Sequence, residues 1–223
     1  TMKASTRGYI EALTEKHRME KQLDEVRLQM LKNQINPHFL FNTLNMIAST
    51  AQIEDADTTE KMIHALSRLF RYNLKSTDSV MPLERELKVV QDYMYLQQMR
   101  FGQRIRYDTD CKPDTMEVLV PSFALQPLVE NAIIHGISPK GQGGRIHVRS
   151  WMEGRRLWIS VADTGRGMAQ ERLEEIRLAL ARGEEKATGV GVGNIYRRVH
   201  GMYRDGEVFI YSSEGRGTVV QMA

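Results

Sequence analysis

Four clusters in this sequence carry residue types at spacings that could do chemistry. The first is Asn36-Pro37-His38-Phe39-Leu40-Phe41-Asn42. A helix through it would set Asn42 one turn beyond His38 on the same face. A histidine side chain is close to neutral at pH 7, so a ring nitrogen is already a nucleophile without strong activation. Phe39, Leu40 and Phe41 must bury, and a proline beside the histidine can bend the helix so that the imidazole faces outward. Taken alone, the heptapeptide fits a satisfied histidine in an ordinary helical bundle equally well.

The other three clusters are Gln126 to Gly136 (QPLVENAIIHG), Asp163 to Met168 (DTGRGM) and Thr188 to Asn194 (TGVGVGN). Asp163 ends a run of alternating residues, so its carboxylate at a strand end can accept an exocyclic amine such as that of adenine. Gly165 and Gly167 let the backbone turn tightly enough to leave room for a flat ring. Gly189, Gly191 and Gly193, alternating ahead of a helix, let backbone N–H groups approach phosphate oxygens, and the helix N-terminus adds favourable potential. Asn131 offers an amide oxygen, a hard ligand suited to magnesium between its helix and the phosphates. Each motif alone reads as readily as a turn, a cap or a core amide. Their order, separated by strands and helices, is what favours a nucleotide site.

The elements that must position these residues follow from hydrophobic period. From about Tyr9 to Ile35 no proline or glycine interrupts a stretch rich in Glu, Lys, Gln, Leu and Met, and Met19, Leu23, Val26 and Met30 form a coiled-coil-like seam. Ile10 and Leu13 are out of phase with it, which predicts a register break near His17. The helix is expected to continue to about Ala51, bent at Pro37. An acidic turn at 53–58 and a second helix from Thr59 complete an antiparallel hairpin. Ser76 to Pro82 reads as a loop and Leu83 to Phe101 as a third helix. Beyond Gly102 the period changes to two at Ile105 to Thr109, Ile146 to Ser150 and Leu157 to Val161, with Glu153-Gly154-Arg155 as a hairpin turn. Helical stretches are expected at about Phe123 to His135, Gln170 to Ala181 and Gly193 to Met202, with closing strands at Val208 to Tyr211 and Thr218 to Gln221. The expected class is α+β: a helical hairpin over residues 1–101, then an α/β sandwich over 102–223.

Bulk properties narrow the partners. With 31 basic against 28 acidic residues the net charge of +3 is too small for a nucleic-acid-coating field, so no nucleic-acid partner is expected. The basic residues near Lys16 to Arg27 interleave with acids and read as a solvated face. No apolar run approaches the ~18 residues of a membrane span, and no signal sequence opens the chain. A lone cysteine, Cys111, fits a reducing compartment and a cytoplasmic location.

With these motifs in this order, the sequence resembles sensor histidine kinases of the LytS and YesM type from about Gln29 to Val220. Asn36 to Asn42 is similar to their phosphoacceptor box, Gln126 to Gly136 to the N box, and Asp163 to Met168 and Thr188 to Asn194 to the two glycine boxes. Gly217-Thr218 is similar to the closing strand motif and Arg100 to Arg104 to the junction between helices and ATP domain. The resemblance implies a dimerisation and histidine phosphotransfer hairpin followed by an ATP-binding domain of the histidine kinase, gyrase and Hsp90 type. It implies autophosphorylation of His38, with Asn42 beside it, at the expense of ATP with Mg²⁺. Asn131 would bind the metal, Asp163 would read adenine, and Thr218 would hold that aspartate or a water. His135, Gly165, Gly167, Met168, Gly189, Gly191 and Gly193 would complete the nucleotide site. The implied partners are a second copy of the chain and a response-regulator receiver domain whose aspartate takes the phosphoryl group. Any membrane attachment is expected to come only from upstream segments absent from this chain, which is expected to begin mid-helix without a sensor.

Two departures stand out. Many such kinases carry Lys or Arg three residues after the N-box asparagine, where this chain has Ile134, with His135 beside it as a phosphate contact or a buried, hydrogen-bonded group. Many follow the acceptor histidine with an acid, where this chain has Phe39. An ATPase clamp of the gyrase, mismatch-repair or Hsp90 group would need a water-activating glutamate four residues before Asn131, and Pro127 stands there. A dimeric scaffold holding nucleotide only as a structural ligand is the non-enzyme alternative. Transfer would require the two domains to swing together about 101–104, under control of the upstream seam.

Overall fold

The structure, a computed structural model, describes residues 37–75, 79–182 and 190–223. The seam from Met19 to Met30, the predicted register break near His17 and Gly189 lie outside the described residues. The chain divides into two compact units, one ending at Ile63 and one running from His64 to Ala223.

The first unit holds helix α1 (Pro37–Ile53) and the start of α2 (Asp57–Lys75). The turn between them is tight: Ala56 N–H donates to Ala51 O at 2.7 Å, and Asp55 takes a left-handed φ of 54°. Short polar residues tolerate that conformation better than bulky ones, so the acidic turn expected after Ile53 closes here. Asp57 and Glu60 then sit in the first turn of α2, where negative charge suits the helix dipole. The helix thus opens two residues before Thr59. Leu44, Ala48 and Ala51 make the buried stripe of α1, with Phe39, Met46, Ile47 and Ile53 exposed, so Phe39 is not buried as its apolar run implied.

In the second unit a five-stranded sheet carries helices on one face. Its order is β2 (Ile105–Cys111), β4 (Gly144–Glu153), β5 (Arg156–Asp163), β7 (Gly217–Met222) and β6 (Val208–Ser213). Among the described strands, β2–β4 is the parallel pair and the other neighbouring pairs in this sheet are antiparallel. Alternation assigns the faces: Ile146, Val148, Ile159, Val161, Ile210 and Val220 point into one core. On the other face Trp151, Trp158 and Phe209 stack in a ladder with ring centroids 6.0 Å apart at each step. Gly154, at φ 62°, sits in the two-residue hairpin loop between Glu153 and Arg156, as its sequence implies.

Among the described residues, α3 (Leu83–Phe101), α4 (Gln126–Asn131), α5 (Gln170–Arg182) and α6 (Val190–Met202) cover the apolar face. Leu83, Val90 and Met94 of α3 belong to the same buried cluster as Ile105, Val129, Ile146 and Val161. Composition changes from helical to mixed at Gly102, yet α3 is part of the sandwich core.

Three elements differ from the sequence reading. Ser76 to Pro82 is not all loop: Val80–Pro82 forms β1, paired antiparallel with β3 (Leu119–Pro121). The helix expected from Phe123 opens only at Gln126, because Phe123 adopts φ 60° and cannot join it. At its other end α4 passes into a wider π-type turn over Ala132–Ile137 and a 3₁₀ turn over Ser138–Lys140. Finally, Gly191 and Gly193 lie inside α6 rather than in a loop ahead of it.

Candidate functional site

A cleft of about 300 Å³ opens among α4, its π-type turn, β5, the loop after β5, α5, α6 and the β6–β7 hairpin. Leu128, Val161, Met168, Ile176, Val192, Ile210 and Val220 line it with apolar surface, and Asn131, His135, Asp163, Arg166, Arg172 and Thr218 add polar groups. That is the composition of a small-molecule site: mostly apolar walls with a few placed polar atoms.

Asp163 is fixed by its position at the last pairing of β5. Its register partner is Thr218, which opens β7 after Gly217. The carboxylate accepts the Gly165 N–H on Oδ1 at 2.7 Å and also receives the Thr218 backbone N–H. Burial pushes this carboxyl above its ordinary value of 3.8, against the opposing pull of those two N–H groups and the charge of Lys140. Two bonds leave a carboxylate with spare acceptor capacity, which an exocyclic amine in the cleft can use.

Glycines permit this arrangement by close approach. A Cβ on Gly136 would lie 2.7 Å from Asp163 Oδ1, and one on Gly217 would strike the Asp163 carbonyl. Gly165 in turn packs on the backbone of Gly136. The loop is stitched to its neighbours: Arg166 N–H donates to Gly136 O at 2.9 Å, and Arg166 Nε to His135 O at 3.1 Å. Met168 N–H donates to Ser212 Oγ at 2.9 Å, and Ser212 Oγ lies 2.9 Å from Thr218 Oγ1. Thr218 therefore reaches Asp163 through its backbone while its hydroxyl faces Ser212.

Asn131 is half-buried at the end of α4, and its amide packs so closely on Gly191 of α6 that a Cβ there would overlap it. The N-box helix and the second glycine motif thus meet at these two residues. Among the described residues no three His, Cys, Asp or Glu side chains converge on a metal position. A magnesium ion held by Asn131 would draw its other ligands from phosphate oxygens and water, the usual habit of that ion.

Of the nucleotide-site residues expected from sequence, Asn131, His135, Asp163, Gly167, Met168 and Thr218 line the cleft. Gly165 lies buried beside it, Gly191 abuts Asn131, and Gly193 lies further along α6. His135 is exposed rather than buried, and Ile134 is exposed beside it. His38 is in the first turn of α1 and Asn42 one turn later, in the other compact unit; the His38 side chain lies outside what is described. Sequence reasoning gave no site role to Gly136, Arg166, Arg172, Ile176 or Val192. For Gly136 and Arg166 the signal was present inside the motifs; for Arg172 and Ile176, on an ordinary amphipathic helix, there was none.

Comparison with known proteins decides the family. The family model described as Histidine kinase matches residues 26–105, and that described as Histidine kinase-, DNA gyrase B-, and HSP90-like ATPase matches residues 121–223. The chain belongs to the sensor histidine kinases. It is 36% identical over 186 residues to Sensor histidine kinase YpdA of Escherichia coli (strain K12), covering 82% of this chain and 32% of that one. It is 33% identical over 197 residues to Sensor protein LytS of Staphylococcus saprophyticus, covering 88% and 33%. The chain thus spans about a third of the length of the curated relatives it matches. Among solved structures, the histidine kinase domain from Erythrobacter litoralis EL346 aligns over 84% of both chains, at 18% identity and a TM-score of 0.46. Among the described residues, no helix is long and apolar enough to cross a membrane.

Proposed function

We propose that the chain is the cytoplasmic catalytic part of a two-component sensor kinase, transferring the γ-phosphoryl group of ATP to His38 and then to an aspartate of a receiver domain. The observation that carries this reading is the cleft in which the half-buried Asp163 carboxylate and the Asn131 amide share one mostly apolar wall. Asp163 would accept the adenine amine, with Gly136, Gly165 and Gly217 holding the backbone close enough to leave a flat slot. Asn131 would hold Mg²⁺, which when bound supplies charge neutralisation at the phosphates. Backbone N–H groups at the start of α6 and the exposed His135 would meet phosphate oxygens.

In the transfer, a ring nitrogen of His38 forms an N–P bond as the bond from phosphorus to the bridging oxygen breaks, and ADP leaves. The transition state is loose, so positioning matters more than basicity. This accounts for a working acceptor without an acid at Phe39. The phosphoramidate keeps a high transfer potential suited to relay. Met46, Ile47 and Ile53 leave apolar surface exposed on α1, which favours a second copy of the helix as partner. A water-activating clamp is disfavoured by Pro127 on α4, and the neighbouring Glu130 is held by Gln126 Nε2 at 2.8 Å.

Incubation with radiolabelled ATP tests the proposal. The kinase predicts label that is acid-labile and alkali-stable and that vanishes in His38→Gln. Label surviving in that variant overturns the assignment of His38.

A further inference from the structure

Outside the cleft, one carboxylate is buried without being used by the chemistry above. Glu86, on α3, has no solvent exposure. Its Oε1 accepts the Tyr72 hydroxyl and the Phe123 N–H, the latter at 2.9 Å, and its Oε2 accepts the Leu125 N–H at 3.0 Å. Such a charge is tolerated inside a protein only when its lone pairs are met. The Phe123 N–H is also 2.7 Å from Tyr72 Oη. Burial, together with the adjacent Glu86 charge, pushes the Tyr72 phenol up, so it remains a donor.

What this group holds is a strained turn. Phe123 sits at φ 60°, a left-handed conformation costly for an aromatic residue. Its ring lies 4.4 Å from that of Tyr72 and 5.4 Å from the Arg198 guanidinium, and Arg198 donates to Ser122 O. The turn leads directly into α4: Leu125 O accepts the N–H groups of Leu128 and Val129, both at 3.1 Å. Arg198 belongs to α6, whose Gly191 abuts the Asn131 amide. The two helices that meet at Asn131 are therefore both tied to this one turn.

We propose that Glu86 and Tyr72 are positioning residues for phosphoryl transfer: by clamping the Phe123 turn they fix the start of α4 and so set Asn131 against Gly191. The proposal rests on the reading of the cleft as the nucleotide site. Mere helix packing is a separate matter, because α2 and α3 are also joined by the Arg68–Asp92 pair, at 2.7 and 2.6 Å, which does not touch the turn.

The test compares Tyr72→Phe and Glu86→Gln with Asp92→Asn as control. Three quantities are read: amide exchange at Phe123 and Leu125 without nucleotide, affinity for a non-hydrolysable ATP analogue with and without Mg²⁺, and kcat and KM of autophosphorylation. A glutamine keeps one acceptor and sets an N–H₂ group against one of the N–H donors. The expected result is exchange faster by about tenfold, a kcat lower by roughly 10- to 100-fold, and loss confined to the Mg²⁺-dependent share of affinity. Asp92→Asn should leave all three unchanged. Should Glu86→Gln fail to fold, Tyr72→Phe, which removes a single oxygen, carries the test. Folded variants with wild-type kinetics overturn the proposal alone, as does an Asp92→Asn variant with the same losses. A wild-type chain that binds no adenine nucleotide overturns the cleft reading and this proposal together.

Discussion

At the scale of single residues, Asp163 is caught between folding and function. Burial raises its pKa, so folding disfavours the ionised form relative to the unfolded chain. Its contribution to stability is fully present below the ordinary value of 3.8 and is lost as pH rises through the higher folded value. Asp163→Asn should therefore melt no lower than wild type at pH 7 without nucleotide, and any advantage should shrink on acidification toward pH 4. The same change should weaken adenine-nucleotide affinity roughly 10- to 100-fold, the worth of a charge-assisted hydrogen bond. Thermal melts across pH and a calorimetric titration check the two halves. Gly136→Ala should act on the same carboxylate by contact, since its Cβ would sit 2.7 Å from Oδ1. Nucleotide affinity should fall by about tenfold or more, with melting measured alongside to separate displacement from unfolding. An Asp163→Asn chain that binds nucleotide as wild type does would remove the aspartate from the site.

At the scale of elements, α3 decides where the sandwich begins. Met94 is 1% exposed and packs in the cluster that holds the sheet, so Met94→Ala should cost about 2–5 kcal/mol in chemical denaturation. A fragment starting at Gly102 would expose the surface that Leu83, Val90 and Met94 cover, whereas one starting at His64 keeps it. Circular dichroism melts should show a cooperative transition for the longer fragment and a weakened or absent one for the shorter. If the fragment from Gly102 is as stable as that from His64, α3 is an accessory to the core rather than part of it.

The same elements show what could be read from residue order. The β4–β5 hairpin was legible because period-two runs flank a Gly-Arg loop, and Asp163 because it closes one of those runs. Three-residue β1 was not, since Val80-Met81-Pro82 is too short for a period and its partner strand is distant in sequence, Met81 pairing with Val120. The late start of α4 follows from Phe123, whose left-handed φ is imposed by partners on α2 and α3 that no local pattern announces. Nothing in Leu83-Glu84-Arg85-Glu86-Leu87 sets Glu86 apart from its charged neighbours; only tertiary structure makes it an acceptor of backbone donors. Gly191 and Gly193 suggest a loop, but they are accommodated within α6, where the missing Cβ at Gly191 makes room for Asn131.

At the scale of the whole molecule, the proposed phosphoryl transfer requires one nucleotide site on the sandwich and one acceptor on the hairpin. Apolar surface left on α1 predicts self-association, to be checked by sedimentation: Ile53→Lys should shift the chain toward monomer, since Ile53 is 83% exposed and contributes little to internal packing. The central claim is that Asp163 and Asn131 mark two ends of the same bound nucleotide. A crystal structure of the chain with a non-hydrolysable ATP analogue and Mg²⁺ tests it most directly. The expected result is the adenine amine in hydrogen-bond contact with the Asp163 carboxylate and the metal on the Asn131 amide oxygen. A nucleotide seated elsewhere on the sandwich, or a metal that ignores Asn131, would contradict it.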